Sequence, residues 1–208
     1  YFFHYLFHIK NKKIKKNKML SEFLNIIIRS IKLDKSFYKD SKNFGEASIY
    51  YAIIIILLMS IISLVPGSAL YQYMGNVLGI TDTVKGPSFR SVIIMSFLVW
   101  LIKTAYFYFV GVVMFPSAST KCNFRKLLIT VAYANAPFIF YILIFDITMI
   151  YLTFVIYLWY SLTLIIGMKQ VLKYENYFKP MVISLAPQFL LLIYFLNLTL
   201  KINNGVIS

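Results

Sequence analysis

The sequence predicts an all-α, polytopic integral membrane protein: a bundle of five transmembrane helices behind an N-terminal amphipathic helix on the cytoplasmic side. Three observations carry this. Of the 208 residues, 60% are hydrophobic and only 13% charged, and the mean hydropathy of +0.75 lies outside the soluble range. The stretch from Leu127 to Met168 contains a single charged side chain, Asp146. As one helix it would reach roughly 63 Å, about twice the hydrocarbon thickness of a bilayer, so it must turn near Asp146 and cross twice. No polar face recurs in it at helical spacing, as a soluble core helix would require. The third observation is the alternation of Lys and Arg between successive connections, counted below.

Residues 1–18 run from an aromatic cluster into Lys10, Lys12, Lys13, Lys15, Lys16 and Lys18. A signal peptide places its charge before its apolar core, so this is the reverse order. Met19 is the expected start, with 1–18 a basic upstream extension. His4 and His8 stand at helical metal spacing, but no third ligand lies near them.

Residues 19–46 form the expected cytoplasmic segment. Leu20, Phe23, Leu24, Ile27, Ile28 and Ile31 recur every three or four residues, with Glu22, Asn25, Arg29 and Lys32 between them. Such a helix is too short and too charged to span, and lies along the headgroups. A polar stretch from Asp34 to Glu46 follows.

The membrane domain covers 47–200, with spans at 47–65, 91–115, 127–145, 147–168 and 180–200 and a short external tail at 201–208. Pro66-Gly67 closes the first span and Pro116 the second; Pro180 opens the fifth, a favourable first helical position. The N-terminal region holds 11 Lys and Arg, and the loops 117–126 and 169–179 hold 3 each. The alternate set holds 2 (Lys85, Arg90), none at Asp146 and 1 in the tail (Lys201). The positive-inside rule then puts the N-terminus in the cytoplasm and the C-terminus outside. Membrane topology accounts for the net charge of +14, so no nucleic-acid partner is expected.

Lys103 is the charge deep in a span. Its insertion costs about 2.5–3.5 kcal/mol, which the apolar run Val92–Ile102 offsets at about 0.3–0.6 kcal/mol per residue. Counted from the cytoplasmic helix ends at 1.5 Å per residue, Lys103 lies about 18 Å deep, Asp146 about 30 Å and Asn135 about 14 Å. A direct Lys103–Asp146 pair is therefore out of reach. Two readings of Lys103 stand. In one it bonds Asn135 or the Tyr133 carbonyl that Pro137 frees by lacking an N–H. In the other it snorkels toward the cytoplasm. Thr130 with Ala134, and Ala132 with Ala136, form small-residue pairs that let neighbouring helices approach closely in lipid. Pro187, like Pro137, is read as a packing kink.

A set of short motifs ties these spans together. They are Phe124-Arg125-Lys126-Leu127-Leu128, then Ala132-Tyr133-Ala134-Asn135-Ala136-Pro137, then Trp159 and Gly167-Met168-Lys169. Over about residues 20–200 the chain resembles the Yip-one (Ypt/Rab-interacting protein) domain family. The resemblance implies five spans and a cytoplasmic N-terminus. In eukaryotes it also implies a Golgi or endoplasmic reticulum protein that binds Rab GTPases and shapes or traffics membranes. Here the region before the first span is basic, without the acidic and aromatic segment of eukaryotic members, and Lys35-Ser36 precede Phe37 where prokaryotic members often have Pro. Rab GTPase binding is therefore not carried over. The expectation is a prokaryotic-like or minimal member in the cell membrane.

No HExxH, Gly-x-Ser-x-Gly, Gly-rich phosphate loop or Cys/His metal spacing occurs, so no enzyme, metal or cofactor is expected. The single Cys122 excludes an internal disulfide and reads as a passive loop residue. The expected function is a membrane scaffold or organiser whose basic cytoplasmic face meets anionic lipids of the bilayer, a membrane-protein partner or further copies of itself. The alternative is a small channel or transporter using Lys103, Asn135 and the proline-kinked spans.

Overall fold

The computed structural model describes residues 19–64, 88–117, 120, 122–144 and 150–203, and no strand occurs among them. Helix α1 covers residues 19–31, α2 Lys35–Lys39, α3 Ala47–Ile62 and α4 Phe89–Tyr108. Helix α5 covers Phe124–Ala134, α6 Ile150–Leu172 and α7 Phe178–Asn203. A 3₁₀ turn at Ser41–Phe44 links α2 to α3.

Local chemistry sets several of these ends. The Ser88 hydroxyl accepts the Ser91 N–H at 3.3 Å to start α4, and the Asn123 side chain accepts the Lys126 N–H at 2.8 Å to start α5. Asp34 does the same for α2, accepting from the N–H groups of Ser36 and Phe37. Helices α1 and α6 stop at Leu33 and Lys173, whose φ angles of 57° and 55° are left-handed. The following N–H groups reach back to Arg29 and Lys169 carbonyls, which closes each helix in a Schellman turn.

Two helices change winding. Helix α4 runs on as a π-helix over Phe109–Met114. Helix α5 gives way at Asn135 to a 3₁₀ helix over Ala136–Leu143. Pro137 has no N–H to return to Tyr133, and the tighter winding with its longer rise follows from that point.

Among the described residues three helices are long and apolar enough to cross a membrane: Phe89–Met114, Phe124–Leu143 and Tyr151–Leu172. Helix α3 is apolar but has 16 residues, about 24 Å of rise. The expected fifth span falls on α7, whose 26 residues continue unbroken through Pro187. The turn expected at Asp146 lies outside the described residues.

Helix α5 is the axis of the fold. Leu127, Ile129, Val131, Ala132, Tyr133 and Ala134 are all fully buried, and α3, α4 and α6 pack around it. Helix α4 buries only Trp100, Thr104 and Phe107, and turns Ile94, Met95, Leu98, Leu101 and Ile102 outward. An apolar helix face left this exposed is one that meets lipid or another apolar helix.

The stretch from Asp34 to Glu46, read in the sequence as polar, is part of this packing. Phe37 and Tyr38 are fully buried, and the Phe37 ring lies 5.5 Å from the Tyr133 ring of α5. Helix α1 is also attached. Ile26, Ile27 and Ser30 are buried, the Trp159 indole N–H donates to the Ile31 carbonyl at 2.9 Å, and Glu22 accepts from the Tyr51 hydroxyl at 2.9 Å. The apolar stripe of α1 is therefore divided, with Ile27 turned inward and Leu20, Leu24 and Ile28 outward.

Candidate functional site

Lys103 sits on the inner side of α4, half-buried, with its amine 5.2 Å above the ring of Tyr160 on α6. The amine donates to the Tyr160 hydroxyl over 3.4 Å, a long bond. Of the two readings of Lys103, the one with a bond to Asn135 or to the Tyr133 carbonyl gives way to this contact. Asn135 instead turns its amide nitrogen back onto the Val131 carbonyl of its own helix at 2.7 Å. It thereby satisfies a carbonyl that the change to 3₁₀ winding releases.

Lys103 and Asn135 do face the same space. A cavity of about 170 Å³ lies between α3, α4, α5 and the 3₁₀ segment. Ser60, Ser63, Ser96 and Tyr141 supply its other hydroxyls, and Ile56, Met59, Val99, Val131 and Phe138 its apolar wall. Trp100 lines it too, with its indole N–H given to the Leu128 carbonyl at 3.0 Å.

The small residues of α5 and of the start of the 3₁₀ segment lie on packed faces. Thr130, Ala132, Ala134 and Ala136 are fully buried. Thr130 gives its hydroxyl proton to the Lys126 carbonyl at 2.9 Å, and its methyl is directed at Gly167 of α6. Pro137 is buried beside Ala136, and Pro187 stands half-buried within α7. Asp146 falls outside the described residues, and among these no group of His, Cys, Asp and Glu is placed to hold a metal.

A second concentration of charge lies where α5 begins and α6 ends. The Lys169 and Lys35 amines both rest on the ring of Tyr177, at 3.9 and 5.5 Å. The Lys126 amine lies 4.9 Å over Phe44, and the Lys179 amine 5.9 Å over Tyr174. Arg125 donates to the carbonyls of Gly45 and Glu46 at 3.3 and 3.2 Å. Arg29 pairs with Asp34 at 2.7 Å and donates to the Ser36 hydroxyl at 2.8 Å. Ser36, and then Arg29, hold the Asp34 carboxyl down to about 2.

Sequence reasoning overlooked Tyr160, Tyr174, Tyr177 and Gly111, and it gave no sign of the close approach at Gly167. The Tyr174 hydroxyl reaches the carbonyls of Gly111 and Phe115 at 2.8 and 3.0 Å, at the π-helical end of α4. Gly167 stood within the Gly167-Met168-Lys169 motif, and that was its only signal.

A family model described as the Yip1 domain matches residues 31–198. No curated protein and no solved structure matches the chain.

Proposed function

The chain belongs to the Yip1 domain family, and from that membership we propose that it is a non-enzymatic, multi-pass membrane scaffold that gathers anionic lipid at a basic cytoplasmic face. In this reading α3, α4, α5 with its 3₁₀ extension, α6 and α7 are five spans. The N-terminus is cytoplasmic, the C-terminus external, and the protein resides in the cell membrane.

The observation that carries the reading is the meeting of Lys35 and Lys169 over one ring, Tyr177. One amine comes from the N-terminal segment and the other from the end of α6. Two like charges drawn to one place repel each other, and the ring's negative face offsets only part of that repulsion. A surface of anionic headgroups removes the rest, at about 1 kcal/mol for each lysine near it. The outward Leu20, Leu24 and Ile28 of α1 suit the same surface, since an amphipathic helix there sinks its apolar side below the headgroups.

The test is the lipid that stays with the protein. Native mass spectrometry of protein purified from a mixed anionic and zwitterionic membrane should find anionic lipid enriched on the wild type. The triple substitution Lys35→Gln, Lys169→Gln and Lys179→Gln should bring that enrichment down to the bulk ratio. Retained enrichment in the triple variant would remove the basis of the proposal.

A further inference from the structure

We propose that the cavity beside Lys103 binds a small monovalent anion, of the halide or carboxylate class. A cation held among helices in lipid is costly until something neutralises it. Among the described residues no carboxylate lines this cavity, and the one ion pair, Arg29–Asp34, is elsewhere. The Tyr160 hydroxyl, at 3.4 Å, takes a single one of the ammonium's hydrogens.

The hydrogen-bond inventory of the wall points to the sign of the guest. Ser60, Ser63 and Trp100 already give their protons away, to the carbonyls of Ile56, Ser60 and Leu128. The hydroxyls of Ser96 and Tyr141 have no partner among the described residues, and Asn135 has spent one amide hydrogen of two, on Val131. The hydrogens left over therefore belong to Lys103, Ser96, Tyr141 and Asn135. Four sets of donors around one positive charge suit an anion. Ser60 and Ser63 keep lone pairs for water that accompanies it.

Size narrows the class. At about 170 Å³ the space takes a halide with a few waters, or a carboxylate head whose chain lies outside it. A water molecule's share of liquid volume is about 30 Å³. The carboxylate has two possible sources, a dissolved acid or a fatty acid in the bilayer, and the test separates them.

Trp100 lines the cavity, so a heavy halide bound there quenches its fluorescence. The experiment uses the full chain with Trp159→Phe, which leaves Trp100 as the sole indole of the original two, in discs of zwitterionic lipid. Bromide replaces sulfate, a divalent anion outside the proposed class, at constant ionic strength. The expected result is saturable quenching that Lys103→Met weakens at least tenfold. Reversal by acetate assigns the site to dissolved anions, and reversal by laurate alone assigns it to lipid carboxylates. Quenching that rises linearly without saturating, or that Lys103→Met leaves unchanged, overturns the proposal. Should the Met variant fail to elute as a folded species, Tyr141→Phe and Ser96→Ala decide: a several-fold loss of bromide affinity supports the site, and none overturns it.

Discussion

Gly167 of α6 is packed so closely on Tyr38 of α2 that a β-carbon on the glycine would stand 3.2 Å from the tyrosine Cε1. The Thr130 methyl of α5 would lie at 2.9 Å from the same point. One missing side chain thus lets three elements meet, and it anchors the N-terminal segment to the bundle. Replacing Gly by Ala in a helix ordinarily gains about 1 kcal/mol. Overpacking against a fully buried, β-branched threonine costs about 1–3 kcal/mol, and it grows with side-chain size. Gly167→Val should therefore lower the thermal midpoint and loosen α2, and Gly167→Ala should do less. Measured unfolding of both variants in lipid discs checks this, and a Val variant as stable as wild type would show that the contact is slack.

Tyr174 holds the π-helical end of α4. Its one hydroxyl proton serves two carbonyls, those of Gly111 and Phe115, at 2.8 and 3.0 Å. Gly111 is itself tight, since an added β-carbon would meet Leu172 Cδ1 at 2.8 Å. Tyr174→Phe leaves those carbonyls without their donor, at a cost of about 1–3 kcal/mol. Amide hydrogen exchange over 109–117 should accelerate in that variant, while exchange in α5 stays slow. Uniform change across both regions would mean that Tyr174 supports the whole bundle and not this turn.

Asp34 predicts a pH effect with a definite sign. Its carboxyl ordinarily titrates near 3.8 and is held at about 2 in the fold, first by the Ser36 hydroxyl and then by Arg29. A depressed carboxyl contributes stability above its unfolded value and loses it as pH falls through the folded one. The contribution is nearly complete above about pH 4 and is lost as the pH falls to and below about 2. Asp34→Asn keeps a side chain able to cap α2 but removes this titration. Wild type should lose more stability than Asp34→Asn between pH 4.5 and 2.5, read as the difference in unfolding midpoints (about that interval). Parallel curves would show that the clasp does not couple to folding.

The helical membrane class was legible because long apolar runs are a strong local signal, and α4, α5 and α6 follow from them. Pro137 likewise marked where the winding changes, because a missing N–H acts at its own position. Contacts across the bundle were harder to read. Counting residues along each helix gives depth but no lateral arrangement, so Asn135 looked like the partner of Lys103 while Tyr160, one of 17 tyrosines, did not stand out. Phe37 and Tyr38 were hidden for a related reason. Asp34, Lys35, Lys39 and Asp40 make their surroundings look polar, and the burial comes from α5 and α6, far along the chain. The stripe on α1 was visible as a pattern, but periodicity alone does not say which half of a wide apolar face meets protein.

Cys122 provides the last prediction. It lies just before Asn123, the cap of α5, and is buried, with its sulfur 3.4 Å from the Asn123 carbonyl. Burial pushes the thiol up to about 11 from an ordinary 9.0, against a smaller opposing pull from Lys126. The thiolate is the reactive form, so two pH units remove on the order of a hundredfold of its population at neutral pH. The fold's shielding of the sulfur slows reaction further. Maleimide labelling of the native protein in lipid should therefore be at least a hundredfold slower than labelling after unfolding in detergent and urea (on the order of that factor). The native rate should still be rising tenfold per pH unit at pH 9 (about that slope), where an ordinary thiol begins to level off. Fast labelling at neutral pH, or a plateau by pH 9 (about the unperturbed value), would place Cys122 at the surface and contradict the packing around the start of α5.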